Sequence, residues 1–198
     1  MKHEVTSYNT KKLLVQALKN RMKSKPLSKI SVSEIIAECG VNRKTFYYHF
    51  ADVNALLKWM FEQETINVVK QFNLLVDYED AIRFVMKYVE ENEHIVQCVV
   101  DSMGRIELKK FFYADFSSVI EAYIEGAVQE NNLQVEQEYK NFVIAFYTEA
   151  LAGALISWIE DKDNLDREKS IAYMVAVLKG SLPNVFIYGQ GGSQQKEK

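Results

Sequence analysis

The spacing of apolar residues predicts helices along most of the chain. Leu14, Leu18 and Met22 recur at intervals of one helical turn, with cationic residues on the other faces, which predicts an amphipathic helix over residues 10–23. Pro26 prevents its continuation, because proline lacks the N–H that a helix interior needs. The same periodicity predicts later helices at about 79–92, 94–103, 105–131, 136–161 and 167–181, with a break at Gly104.

Local signals predict a short helix after the first loop. Ser31 and Glu34 have the spacing of a capping box, in which the serine oxygen accepts a backbone N–H and the glutamate accepts the N–H of the serine. Gly40 then provides a residue that tolerates positive φ and closes the helix.

A second short helix follows at once. Asn42 is a good N-cap, and Phe46 and Phe50 lie one turn apart on the same face. Two helices of about eight residues with so short a connection must cross steeply, which is the arrangement of a helix-turn-helix. Asp52 can then cap a longer helix that reaches Val69.

The outward face of the second short helix is rich in groups that bind nucleic acid. It carries Arg43, Lys44, Thr45, Tyr47, Tyr48 and His49. Cations near the start of such a helix can reach base edges, while hydroxyl, phenol and imidazole groups donate hydrogen bonds to phosphate. For one of the two tyrosines, half-buried packing against the next helix is the alternative.

Charge is divided unevenly along the chain. The 198 residues have a net charge of -3, which alone argues against a partner with many phosphates. Residues 1–60, however, contain eleven Lys or Arg against four Asp or Glu, and residues 61–198 contain thirteen against twenty-three. The first third would therefore attract a polyanion, and the remainder would repel one.

The composition supports an all-α class. Hydrophobic residues make up 48% of the chain, and there are only 2 prolines and 8 glycines. Such a composition excludes a disordered chain and disfavours a sandwich with many turns.

One segment resembles a known family. Residues 35–50, which read Ile-Ile-Ala-Glu-Cys-Gly-Val-Asn-Arg-Lys-Thr-Phe-Tyr-Tyr-His-Phe, look like the helix-turn-helix of the TetR family of bacterial transcriptional regulators. The Thr-Phe-Tyr-Tyr-His-Phe ending is the specific part. The motif resemblance covers about residues 10–62, and residues 50–61 are also similar to a branch that includes regulators of dihydroxyacetone kinase operons.

The resemblance implies roles for individual residues. Arg43 and Lys44 correspond to base readers. Phosphate or thymine contacts correspond to Thr45, Tyr47, Tyr48 and His49, and Ser33 on the preceding helix is a weaker candidate for a DNA contact. The family commonly has lysines just after the His-Phe pair, where this chain has Ala51 and Val53. Lysines of the first loop could compensate for them: Lys23, Lys25 and Lys29.

The resemblance also implies an architecture. We expect an all-α protein of about nine helices, with a helix-turn-helix DNA-binding domain at 1–55, a helical ligand-binding and dimerisation domain at 56–188, and a flexible tail at 189–198. The implied function is a homodimeric, ligand-responsive repressor that binds a pseudo-palindromic DNA operator. Two alternatives stay open: an activator or coactivator that acts through a partner protein, and a small-molecule-binding module with vestigial DNA binding.

The last two predicted helices favour a dimer interface. Residues 150–155 are small or apolar, which lets another helix approach closely, and the helix at 167–181 is apolar on more than one face. We expect the helices at 136–161 and 167–181 to meet their symmetry mates in a four-helix interface. Burial within one chain is the alternative.

The effector of the second domain is not identified by the sequence. Periodicity nominates no ligand-binding residue, and a cavity between aromatic-rich helices would suit a small organic molecule. Four polar residues would be informative if they were buried: Arg83, Arg105, Glu149 and His94.

Enzymatic and membrane functions find little support. The three histidines lack metal-ligand spacing, and no phosphate-binding loop or nucleophile motif is present, so we expect no catalytic residue, cofactor or metal. Cys39 continues an apolar helix face, and Cys39 and Cys98 form no disulfide framework, as in a reduced cytoplasmic protein. Residues 142–159 are long enough to span a membrane, but Thr148 and Glu149 near their middle favour a buried core helix.

Overall fold

The computed structural model describes residues 2–161 and 164–189, and every regular element among them is helical. The helices are α1 (Lys2–Met22), α2 (Val32–Cys39), α3 (Arg43–His49), α4 (Val53–Phe61), α5 (Asn67–Val69), α6 (Tyr78–Glu91), α7 (Glu93–Glu130), α8 (Gln137–Glu160) and α9 (Arg167–Gly189). A 3-10 turn occupies Leu27–Lys29, and a π-helical turn at Glu62–Ile66 joins α4 to α5. The predicted all-α fold with a helix-turn-helix is confirmed. Apart from Gly189, the predicted tail lies outside the described residues.

The chain divides into two compact units. The first, called here the N-terminal unit, comprises residues 1–65 and 89–108, and the second, the C-terminal unit, comprises 66–88 and 109–198. The predicted domain boundary between residues 55 and 56 stays a prediction.

The N-terminal unit has a core built from the helices of its first 61 residues. Leu14, Leu18, Ile35, Phe46 and Leu57 are fully buried, and they come from α1, α2, α3 and α4. In this unit α1 packs against α2 and α4, and α2 packs against α3. Burial of large apolar side chains, each contributing about 1.5–3 kcal/mol, therefore holds the two short helices in place.

The predicted caps of α2 and α4 are confirmed. Ser31 Oγ accepts the backbone N–H of Glu34 at 3.3 Å, and a Glu34 carboxylate oxygen accepts the N–H of Ser31 at 3.0 Å, which completes the capping box. Gly40 closes α2 with a φ of 67°. The Asp52 carboxylate accepts the N–H of Ala55 at 2.8 Å and so caps α4.

Helix α1 begins earlier than its apolar pattern predicts. It starts at Lys2, whereas the sequence indicated residue 10. Tyr8 in the added segment contacts the ring of Trp59 edge-on, with centroids 5.9 Å apart. This contact between distant residues stabilises the early turns, and no local pattern could reveal it.

Helix α7 is interrupted at the predicted break. Gly104 has φ 69° and ψ 167°, which is not a helical conformation, so the helices predicted on either side meet there at a kink. A residue with a Cβ atom would be strained at this φ, whereas glycine adopts it without that cost.

Helix α9 corrects the predicted end at residue 181. The helix continues through Pro183 to Gly189. Leu182 and Phe186 are 8% and 2% exposed, and they extend the buried face that includes Leu178. Apolar burial along this face therefore outweighs the hydrogen bond that proline cannot make.

Helix α8 contributes to the core of the C-terminal unit. Val143, Ile144 and Tyr147 are buried there against residues of α9, and the Tyr147 hydroxyl donates to Ser181 Oγ at 2.8 Å. Among the described helices, α8 is the one whose length and composition would also suit a membrane span. Core helices of folded domains pass the same test, and the packing of α8 favours that interpretation.

Candidate nucleic-acid interface

Helix α3 is fixed by its N-cap and by two buried aromatic side chains. The Asn42 side-chain oxygen accepts the N–H of Thr45 at 2.8 Å, as predicted for an N-cap. Phe46 is fully buried and Phe50 is 6% exposed, with ring centroids 6.1 Å apart. Because these anchors lie on one face, the opposite face of α3 is directed outward.

The predicted DNA-contacting residues of α3 lie on that outward face, and Ser33 of α2 lies beside it. Tyr48 is 72% exposed and Tyr47 is 48% exposed, so both side chains reach solvent, and the Tyr47 ring also packs edge-on against Phe46 with centroids 5.5 Å apart. The side chains of Arg43, Lys44 and Ser33 are exposed, and those of Thr45 and His49 are partly exposed. The structure thus displays all seven predicted residues, and their contacts with DNA stay predictions.

Arg43 is held by two neighbouring hydroxyl groups. Its Nη1 donates to Ser33 Oγ on α2 at 3.2 Å, and its Nη2 donates to the Tyr47 hydroxyl at 3.4 Å. The guanidinium carbon also lies 5.6 Å from the centre of the Tyr47 ring, within cation–π range. The structure therefore brings Ser33, the weaker sequence candidate, together with Arg43.

The side chains of two other residues on this face already make contacts with neighbouring residues. The Thr45 hydroxyl donates to the Asn42 side-chain oxygen at 3.0 Å, so its proton serves the cap. The His49 ring lies edge-on to Tyr48, with centroids 5.0 Å apart, and 6.3 Å from Phe50. Lys44 and Tyr48 are the more accessible polar groups.

The carboxylates of α2 are paired with cations. Glu34 forms an ion pair with Lys25, and Arg21 lies 2.6 Å from Glu38. The hydrogen bond from Lys25, followed by those from the backbone and hydroxyl of Ser31, lowers the pKa of Glu34 to about 2. Pairing reduces the repulsion that these two acids would exert on phosphate, but it also offsets the charge of Lys25.

The residues just after α3 differ from the family pattern because they lack its lysines. Ala51 is exposed and Val53 is half-buried, and neither can hold a phosphate as a lysine would. Lys11 of α1, which the sequence did not single out, places its ammonium group 5.9 Å from the Phe50 ring and 5.4 Å from the Trp59 ring. This placement depends on residues far apart in the chain, so no sequence motif could have indicated it.

The C-terminal unit contains an apolar cavity of about 140 Å³ that is partly open to solvent. Four helices, α6 to α9, contribute to its wall, with Met86, Phe116, Leu155 and Met174 among the lining residues. No lining residue carries a charge, and the hydroxyls of Tyr78, Tyr123 and Tyr147 are the polar side-chain groups. Burial raises the pKa of the Tyr123 phenol, which stays protonated at neutral pH.

The polar residues that the sequence proposed as indicators of a ligand site are not buried. Arg83 forms ion pairs with Glu79 and Glu168 at 2.8 and 2.5 Å, and Lys109 pairs with Glu149 at 2.5 Å. Arg105 and His94 are also exposed. The lining residues could not be nominated from the sequence because they are ordinary apolar side chains, and only the packing of four helices brings them together.

The described residues offer no metal site, and their two cysteines are half-buried. Within residues 2–161 and 164–189, no group of three or more His, Cys, Asp or Glu side chains could hold a metal ion. Cys39 and Cys98 are half-buried thiols that donate to the carbonyl oxygens of Ile35 and Lys25 at 3.2 and 3.4 Å. Burial raises the pKa of Cys98, which disfavours the reactive thiolate.

The fold and the exposed face of α3 define a helix-turn-helix transcriptional regulator. Residues 14–59 match the family described as bacterial regulatory proteins, tetR family. Residues 77–180, which are more than half of the chain, match the family described as transcriptional regulator C-terminal region. The chain belongs to the TetR family, and it is a regulator rather than an enzyme.

Two similar proteins share a name. A curated relative from Lactococcus lactis subsp. lactis (strain IL1403), the HTH-type dhaKLM operon transcriptional activator DhaS, is 23% identical over 146 residues, which are 73% of this chain and 76% of the relative. A solved structure of the dihydroxyacetone kinase operon activator DhaS has a TM-score of 0.62 and 22% identity, covering 86% of this chain and 94% of that one. The resemblance to the branch that includes regulators of dihydroxyacetone kinase operons is thereby confirmed.

Proposed function

We propose that the protein is a homodimeric, ligand-responsive transcriptional regulator that binds a pseudo-palindromic DNA operator. This proposal rests on the outward face of α3, which lies opposite the buried Phe46. Its exposed residues are Arg43, Lys44, Tyr47 and Tyr48. Such a face combines donors for base edges with donors for phosphates, as a helix in the major groove requires.

The proposed roles differ along this face. Arg43 and Lys44 contact base edges, whereas Tyr47, Tyr48 and His49 donate hydrogen bonds to phosphate oxygens. Thr45 contributes through its methyl group to thymine or through its hydroxyl after the cap rearranges, and Ser33 contributes mainly through Arg43.

A gel-shift series tests whether phosphate contacts dominate DNA binding. It uses the native DNA upstream of the gene and increasing salt concentrations. Neutralising phosphates releases condensed counterions, so affinity should fall steeply as salt rises. Affinity that does not change with salt would contradict the proposal.

The exposed apolar residues of α8 and α9 support the dimer. Phe142 and Phe146 of α8 are 64% and 58% exposed with stacked rings 6.3 Å apart, and Tyr173 and Val177 of α9 are 69% and 64% exposed. An ideal Cβ atom built on Gly153 meets nothing within 4 Å, which leaves room for another helix. These features suit a four-helix interface with a second copy, and they favour it over burial within one chain.

Two-fold symmetry determines the form of the operator. Two copies of α3 related by such an axis read inverted half-sites, whose centres lie about 34 Å apart for each turn of duplex between them. Sedimentation analysis should give the mass of two chains at working concentrations, and a mass of one chain would contradict the dimer.

The apolar cavity of the C-terminal unit is the proposed effector site. Its wall offers apolar contacts and a few tyrosine hydroxyls, which suits an uncharged organic molecule better than a phosphorylated or highly hydroxylated one. Such a ligand changes DNA binding only if it has unequal affinity for the two dimer states. Calorimetry with a neutral apolar probe and with dihydroxyacetone tests this preference, and selective binding of dihydroxyacetone would contradict it.

The sign of regulation has two candidates. Activation is favoured by the curated relative, which is named as an operon activator and matches 73% of this chain. Repression, which the sequence resemblance implied, needs only occupancy of the operator by the dimer. A reporter downstream of the operator distinguishes them, since deleting the gene lowers expression under activation and raises it under repression. In either case the protein works on cytoplasmic DNA.

DNA binding by the purified protein tests two further alternatives. A coactivator that docks on a partner would dimerise without binding the operator alone. A vestigial helix-turn-helix would leave only ligand binding. Purified protein that binds DNA by itself contradicts both of these alternatives.

A further inference from the structure

The guanidinium of Arg43 has a defined geometry although its side chain is exposed. It donates to Ser33 Oγ at 3.2 Å and to the Tyr47 hydroxyl at 3.4 Å, and it lies 5.6 Å from the Tyr47 ring centre. One of these contacts comes from α2 and the others from the next turn of α3. A side chain that is already held loses less conformational entropy when it binds a partner.

A held guanidinium can distinguish one base from the others. It has only N–H donors, in a planar fork. Guanine presents two acceptors, N7 and O6, in the major groove, whereas adenine pairs an acceptor with an amino donor and thymine presents one acceptor beside a methyl group. Guanine is therefore the base that matches the guanidinium of Arg43.

We propose that Arg43 reads a guanine in each half-site of the operator and that Ser33 and Tyr47 are its positioning residues. This inference rests on the proposed DNA-binding function. The two intramolecular hydrogen bonds leave further N–H groups of Arg43 for N7 and O6. Ser33 and Tyr47 accept hydrogen bonds from Arg43, so each keeps its own O–H proton for a nearby phosphate.

Lys44 provides the contrast on the same helix. Its side chain is exposed, and within the described part of the chain no hydrogen bond or ion pair holds its ammonium group. A flexible point charge of this kind can reach several acceptors and does not fix one base. The base requirement therefore originates at Arg43.

The first experiment identifies the guanine. The full chain selects duplexes from a randomised library, and the recovered half-sites should share one guanine whose replacement lowers affinity about 5- to 150-fold. At that position 7-deazaguanine, which lacks the N7 acceptor, should also lower affinity. Inosine keeps N7 and O6 and should bind like guanine, because it differs only in the minor groove.

The second experiment assigns the guanine to Arg43 and its positioning residues. Arg43→Ala should abolish the preference for guanine, and Arg43→Lys should weaken it, since lysine keeps the charge and donors without the planar fork. Ser33→Ala and Tyr47→Phe should reduce that preference while the slope of affinity against salt stays near that of the wild type, and Ser33→Thr should restore it. Lys23→Ala, a control in the first loop, should weaken all duplexes by the same factor.

The outcomes separate this inference from the proposed function. Salt-dependent DNA binding without a guanine that depends on Arg43 would overturn the inference and leave the proposed function standing. Full guanine preference in both Ser33→Ala and Tyr47→Phe, each shown by circular dichroism to be folded, would overturn the positioning roles. Folded wild-type protein that binds no duplex would overturn both proposals.

Discussion

The two compact units present their chemistry in opposite ways. In the N-terminal unit, polar groups of one short helix face outward, and the buried Phe46 anchors the opposite face of that helix in the core. In the C-terminal unit, apolar groups of four helices face inward around a cavity of about 140 Å³. A surface for a large charged partner can be built on one helix, whereas a site that encloses a small apolar molecule needs several.

Charge follows the same division along the chain. Residues 1–60 carry eleven cations against four acids, while residues 61–198 carry thirteen against twenty-three. Long-range attraction to DNA is thereby confined to the segment that contains α3, and the acidic remainder disfavours binding elsewhere on the chain. The net charge of the whole chain therefore conceals a basic nucleic-acid-binding segment.

Removing the buried anchor of α3 should have the largest effect. Phe46→Ala deletes a fully buried ring and should destabilise the N-terminal unit by about 3–5 kcal/mol, because of lost burial and a cavity. Thermal denaturation monitored by circular dichroism measures the loss, and DNA binding should disappear with it. Leu13→Ala, at a 54% exposed position of α1, should change stability by less than about 0.5 kcal/mol. Equal effects of the two variants would contradict this assignment of the core.

Charging the exposed face of α8 should have the next largest effect. Phe146→Glu places a carboxylate in the proposed interface and should weaken dimerisation by at least about 2 kcal/mol, or roughly thirtyfold in the dissociation constant. Sedimentation over a concentration series measures it. Ile106→Glu is the matched control, because Ile106 is 69% exposed on α7, outside the proposed interface. A Phe146→Glu dimer as tight as the wild type would place the interface elsewhere.

Removing the cap of α3 should have a smaller effect that is confined to the N-terminal unit. Asn42→Ala loses the acceptor for the Thr45 N–H and hydroxyl, and it should cost about 1 kcal/mol. Chemical denaturation measures the loss of stability, and Asn42→Ser should recover most of it. If Asn42→Ala were as stable as the wild type, packing of Phe46 alone would position α3.

Neutralising Glu34 should have the smallest effect and should depend on pH. The folded-state pKa of about 2 lies below the ordinary value of 4.5, so the carboxylate stabilises the fold fully above about pH 4.5 and loses this contribution as pH falls towards 2. The difference in Tm between wild type and Glu34→Gln should therefore be constant near neutral pH and shrink below pH 4.5. Lys25→Gln should have a similar effect, and the double variant should be no worse than either. A difference that grows on acidification would contradict the ion pair.

Short-range signals carried the prediction of the N-terminal unit. The caps at Ser31, Gly40, Asn42 and Asp52 each depend on residues within a few positions, and all four are confirmed. The same locality explains why the outward face of α3 could be predicted before its tertiary contacts were known. The brace between Arg43 and Ser33 could not be, since it spans two helices.

Features that depend on distant residues escaped prediction. Helix α9 passes Pro183 because Leu182 and Phe186 gain burial, a term that local propensity omits. The lining of the cavity likewise consists of ordinary apolar residues that become a site only through packing. Homodimerisation, ligand response and the sign of regulation stay proposals for the same reason, because each depends on a second molecule.

The central claim is that the outward face of α3 binds duplex DNA. The most direct test compares the wild type with Arg43→Ala and Tyr47→Ala on selected and scrambled duplexes at two salt concentrations. We predict that Arg43→Ala loses about 1–3 kcal/mol of preference for the selected duplex, whereas Tyr47→Ala weakens binding to both duplexes and loses a smaller part of that preference. Wild-type affinity and preference in both variants would contradict the account, because the DNA would then bind another face.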